Sequence, residues 1–192
     1  MPLGGQLEGA AAAAPHSTAV RLTSVAGRRH HGRVAAFTHA TAAGVLGAGL
    51  GVQVFLSFLV APAAFRLIDR AAAVHLMEGL FPGYYGFGLV TTALGLVLVV
   101  GLALAEGRAP LRWGAAALLV VVLAGTAYAG GVLLPQAHAA RLRAQAAGPG
   151  DTAPLEFSRL HRRAVGVNIA VFGVGLLAFV LHAAGRPRTA GR

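Results

Sequence analysis

The chain has 192 residues, a formal net charge of +10, an apolar fraction of 56% and a charged fraction of only 11%. That balance leaves too little polar surface for a soluble domain of this length. The absence of cysteine excludes disulfides, thiolate catalysis and thiolate metal sites, and the arginines form no long basic run with interleaved aromatics, which excludes a nucleic-acid binder.

In chain order, residues 1–37 read as a disordered basic tail rich in Ala, Gly, His and Arg. Arg28-Arg29 resembles a twin-arginine export signal, but no hydrophobic stretch follows directly, so an uncleaved basic flank is the better reading. The region 38–183 reads as one four-span transmembrane domain, with spans at 41–65, 83–104, 113–134 and 164–181. Each holds about 18 or more residues without a charge, enough to cross a bilayer as a helix. In lipid, backbone polar groups must be satisfied within a helix or a closed barrel. Barrel strands alternate apolar and polar residues, and these runs do not. The fold class expected is therefore all-α, an integral membrane four-helix bundle.

In the first span Gly47 and Gly51 form a small-xxx-small pair that suits close helix approach. Glycine-rich faces of this kind also suit homo- or hetero-oligomer contacts. Residues 66–82 read as the first loop, with a short helical turn, before Pro82, Tyr84 and Tyr85 open the second span. Residues 105–112 are a short second loop, so spans two and three form an antiparallel hairpin. Trp113 marks the interface. The long third loop, 135–163, is broken by Gly148-Pro149-Gly150, and its first part extends helix three into water. Residues 184–192 are a basic tail. Nine arginines flank the spans on the side of the termini and seven on the other. The positive-inside rule then favours cytoplasmic termini, in a bacterial inner membrane.

The polar residues inside the spans are Gln53, Ser57, Thr91, Thr92, Thr126, Tyr128 and Asn168. Counted at about 1.5 Å per residue, all lie nearer the side of the first and third loops, here called the far side. The near half of the bilayer is expected to hold almost no polar side chain, and no charged residue is expected within the spans. Gln53 and Ser57 are four apart and so share a helix face with Gly49. Two readings of this patch stand side by side: interhelical hydrogen bonds that only tie helices together, or a shallow pocket for a small ligand. The candidate ligand-binding residues are Gln53, Ser57, Tyr84, Tyr128, His161 and Asn168. His75, His138 and His161 are the metal-ligand candidates, since imidazole suits several divalent ions, although no H-x-x-H spacing joins them. No catalytic motif is present and no cofactor is implied.

Two stretches carry a family resemblance. One is Gly51-Val-Gln53-Val-Phe-Leu-Ser57-Phe-Leu-Val-Ala-Pro62-Ala-Ala-Phe65-Arg66, followed by Leu80-Phe81-Pro82-Gly83-Tyr84-Tyr85. The other is Phe157-Ser-Arg-Leu-His161-Arg-Arg-Ala164-Val-Gly-Val-Asn168. Together they resemble the transmembrane protein 205-like family over about residues 42–183. That family has a Gly-x-Gln first span, a Leu-Phe-Pro-x-Tyr-aromatic start to span two, and a Phe/His/Asn pattern before span four. Ala164 stands where the family often has serine, so no role of that hydroxyl carries over. The resemblance implies a four-helix integral membrane protein whose defining domain has no assigned function, and it supplies no substrate. The expected function is a membrane protein that binds or passes a small solute or metal through the far-side patch. The alternatives are an accessory subunit of a membrane complex and a small cysteine-free membrane enzyme.

Overall fold

The structure, a computed structural model, describes residues 16–106 and 110–185, with side chains from residue 32 onward. Among the described residues all regular structure is helical. Four helical stretches are long and apolar enough to cross a membrane: Gly32–Leu67, Arg70–Glu106, Pro110–Ala146 and Ala153–Ala184. The all-α four-helix bundle expected from the spans is the architecture observed.

The first stretch is α1 (His16–Val54), a π-turn over Phe55–Val60, and α2 (Ala61–Leu67). Residues 16–37 thus stand as helix continuous with the first span, where a disordered tail was expected. Residues 1–15 of that tail and the 186–192 end lie outside the described residues, as does 107–109 of the second loop. Pro62 explains the π-turn. A proline ring in a regular turn clashes with the carbonyl four residues earlier and supplies no N–H. The chain widens instead, and Ala61 N–H bonds Leu56 O, five residues back.

The first loop is far shorter than expected. Ile68 is extended, and Asp69 Oδ1 accepts the Ala72 N–H at 2.9 Å, capping α3 (Arg70–Glu106) directly. Residues 70–82, read as loop, are the first turns of that helix, and Pro82 sits inside it. The corner is packed by Ala64, Ala73 and Met77.

The third stretch repeats the device of the first. Helix α4 (Pro110–Tyr128) passes through a π-turn at Ala129–Leu133 into α5 (Leu134–Ala146), again just before a proline, Pro135. Gly150 makes the following turn at φ +87°, a conformation open to glycine. Asp151 Oδ1 then caps α6 (Ala153–Ala184), accepting the Ala153 N–H at 2.8 Å.

Helices pack in the ring α1–α3–α4–α6, with α6 closing back on α1. Ala42, Leu46, Val99, Ala115, Ala116, Leu119 and Ala178 form the central core. Large apolar side chains such as Phe58, Val97 and Ile169 point outward and are about two-thirds exposed. In a soluble protein such a surface would be an aggregation hazard. Here it is the lipid contact of a multi-pass membrane protein.

Candidate functional site

On the far side of the core the four helices part around a cavity of about 50 Å³. That is room for about three or four waters, far below the size of a drug-like pocket. Gln53 from α1, Tyr84, Tyr85, Thr91 and Thr92 from α3, Thr126 from α4 and Asn168 from α6 supply its polar lining. Leu46, Leu119 and Val122 line its apolar part. None of the residues lining it is an acid, a histidine or an arginine.

A hydrogen-bond chain crosses three helices here. Gln53 Nε2 donates to the Asn168 main-chain carbonyl at 3.2 Å, and Asn168 Nδ2 donates to Tyr85 Oη at 2.9 Å. The amide oxygens of Gln53 and Asn168 and the Tyr85 hydroxyl proton keep further bonding capacity. Thr91 and Thr126 turn their hydroxyl protons onto their own helices, donating to Phe87 O at 2.9 Å and Val122 O at 2.8 Å. Close approach shapes the walls. A Cβ on Gly49 would lie 2.8 Å from Thr91 Oγ1, and one on Gly130 of the second π-turn 2.8 Å from Tyr85 Cβ. Only glycine admits these neighbours.

Of the expected ligand-binding residues, Gln53, Tyr84 and Asn168 line this cavity and the others do not. Ser57 is exposed on the outside of the bundle. It lies within the π-turn, where four steps no longer close one helical turn, so the face shared with Gln53 is lost. Tyr128 turns toward Arg163, whose guanidinium stands 5.4 Å from the ring centroid. His161 is exposed beside Phe157, with ring centroids 5.9 Å apart. Tyr85 was missed as a site residue. The signal was its spacing: Tyr85, Gly88 and Thr92 fall on one face at i, i+3 and i+7.

The candidate metal ligands do not meet. His138 Nδ1 lies 2.8 Å from Glu78 Oε1, a carboxylate that Arg141 also pairs. His75 is exposed on α3. Among the described residues no three His, Asp or Glu side chains come together as a metal site. Arg143 and Glu156 join α5 to α6 with bonds of 2.8 and 3.0 Å, both side chains well exposed.

The near end holds a second buried polar cluster, just outside the four expected spans. Arg112, expected in the second loop, is 1% exposed in the first turns of α4. Glu106, at the end of α3, grips it with two oxygens, at 2.7 Å from Nε and 2.8 Å from Nη2. Arg112 Nη1 lies 3.4 Å from His39 Nδ1 of α1. His182 of α6 is fully buried, with its Nε2 3.2 Å from the His39 carbonyl and its ring stacked on that of His39 at 4.3 Å. The sequence signal was an acid and a base six apart across a proline-marked hairpin. Read singly, each looks like a residue at a span edge. Together they neutralise each other and can be buried.

Residues 44–146 match a family described as a domain of unknown function, DUF4149. The match takes in more than half of the chain. The chain belongs to the DUF4149 family. The DUF4149 region holds Gln53, Tyr84, Tyr85 and the three threonines of the cavity, with Glu106 and Arg112 of the near end. His39, Asn168 and His182 lie beyond it. A curated relative is an uncharacterised protein of Aquifex aeolicus (strain VF5), 39% identical over 49 residues, which are 26% of this chain and 37% of that protein. The match thus spans little more than a third of the relative's length. No solved structure matches this DUF4149 chain.

Proposed function

We propose that this protein binds a small neutral polar solute inside the membrane, in the cavity between α1, α3, α4 and α6. The observation that carries this reading is the Gln53–Asn168–Tyr85 chain of hydrogen bonds around a space whose lining holds donors and acceptors but no acid or base. A charged ligand would find no counter-charge there, and burying one unpaired is costly. A volume of about 50 Å³ limits the ligand to a few heavy atoms. Entry is from the end that carries the α2–α3 corner and the α5–α6 turn, since an apolar core closes the cavity from the other side.

The transmembrane protein 205-like resemblance fits this reading, because its Gly-x-Gln and Asn positions correspond to Gln53 and Asn168. The bilayer is taken as a bacterial inner membrane with cytoplasmic termini. The arginines of the N-terminal segment support that orientation, though Arg112, neutralised inside the bundle, no longer counts among the flanking charges.

Saturation-transfer NMR on the purified protein with formamide, urea and glycerol tests the proposal. Transfer is expected from the wild-type protein, with affinity falling at least about ten-fold in Asn168→Leu, the equivalent of one lost hydrogen bond at about 1.4 kcal/mol. No transfer to any of the three solutes, or transfer unchanged by Asn168→Leu, overturns it.

A further inference from the structure

The proton positions at the near end follow from which groups can only donate and which can only accept. A guanidinium has no acceptor. His39 Nδ1, facing Arg112 Nη1, therefore receives and carries no proton, and the neutral ring holds its proton on Nε2. A main-chain carbonyl only accepts, so His182 donates from Nε2 to the His39 carbonyl. The remaining nitrogen, His182 Nδ1, is buried with no hydrogen-bond partner. Among these described groups charge is balanced, with one carboxylate, Glu106, against one guanidinium, Arg112, and two neutral imidazoles.

Among the described residues, the groups that meet here are His39 from α1, Glu106 from α3, Arg112 from α4 and His182 from α6. Each network residue stands one turn from a buried alanine on the same helix: Ala42, Ala103, Ala115 and Ala178, all 0% exposed. The charged layer thus covers the end of the core in which Ala42, Ala115 and Ala178 cluster with Val99.

We propose that the stacked His39–His182 pair is a proton-binding site, and that proton uptake there opens the near end of the bundle. A proton on His39 Nδ1 removes the acceptor that Arg112 uses and sets two cations against one carboxylate. A proton on His182 Nδ1 creates a buried N–H and a buried charge beside the same guanidinium. Either way Glu106, the one carboxylate among the described groups of the network, is outnumbered, and separation of the helix ends lets water solvate the excess charge. Imidazole is the side chain here that can take up a proton on acidification, and His39 Nδ1 and His182 Nδ1 are the two nitrogens without one. This inference stands whether or not the far-side cavity takes a solute.

The natural chain has no cysteine and one tryptophan, Trp113, next to Arg112. In reconstituted full-length Ala115→Cys the introduced thiol is the only one. Its labelling by a charged maleimide is divided by that of exposed Gly32→Cys at the same pH, which cancels the pH dependence of the reaction itself. The ratio is expected to rise at least ten-fold from pH 7.5 to pH 5. It should stay flat when His39→Gln and His182→Gln are added, and be high at pH 7.5 when Glu106→Gln leaves Arg112 uncompensated. A flat ratio in the Ala115→Cys protein, or an acid response that survives both histidine substitutions, overturns the proposal. If the substituted proteins fail to insert, Trp113 emission of the unaltered chain serves. A shift on acidification is expected, and constant emission from pH 7.5 to pH 5 overturns the proposal.

Discussion

Arg112 and Glu106 are bound to each other but are not equivalent. Glu106 is 31% exposed and the arginine 1%. Removing Arg112 leaves a carboxylate that can turn toward water, whereas removing Glu106 leaves a guanidinium with no route out. Glu106→Leu is therefore expected to cost about 3–5 kcal/mol, the range for a stranded buried charge. Arg112→Leu should cost distinctly less, and the double replacement less than the sum of the two. Reversible unfolding in detergent, read as a double-mutant cycle, checks this. Equal costs for the two single variants would mean that the carboxylate is as enclosed as the base. The Arg143–Glu156 pair is a useful contrast. Both partners are largely in water, and such a pair adds about 1 kcal/mol at most.

At the level of the helices, the two π-turns decide which residues face inward. Beyond each, the apparent 3.6-residue periodicity is offset. Gln53, just before the first, lines the cavity, while Ser57 inside it faces outward. In the cysteine-free background, a spin label at Ser57→Cys is expected to be relaxed by oxygen more than by a polar nickel reagent, as lipid-facing positions are. A label at Gln53→Cys should show the reverse. Matching behaviour at both sites would mean that the turn between them is regular. The spans themselves were legible because about 18 uncharged residues in a row have few alternatives. The rotation of each helix was not. A helix that is apolar all round carries no stripe to say which face is inside, so position along a span does not tell which polar side chains share a cavity. Tyr85 shows this loss, since it was read only as an interface anchor. The loops were misjudged for a related reason. Residues 70–82 hold Arg70, His75, Glu78 and Pro82 and look irregular, yet Asp69 caps them into α3.

Across the whole molecule the bundle axis passes through three layers: the charged network at the near end, the alanine and leucine core, and the uncharged polar cavity. Glu106 and Arg112 at the near end were assigned to a loop because a lone charge at a span edge ordinarily belongs there. Only the meeting of four helices shows that two charges and two imidazoles enclose one another. Helix α6 takes part in both polar layers, through Asn168 at one end and His182 at the other, and both residues lie beyond the DUF4149 match. One rigid element seated at two sites makes those sites reciprocal. Whatever factor a proton at His39–His182 takes from solute affinity, the solute must take from proton affinity. Solute binding measured at pH 7.5 and pH 5 is therefore expected to weaken in acid. Identical affinities at the two pH values would mean that α6 bends between Asn168 and His182 instead of carrying strain from one to the other.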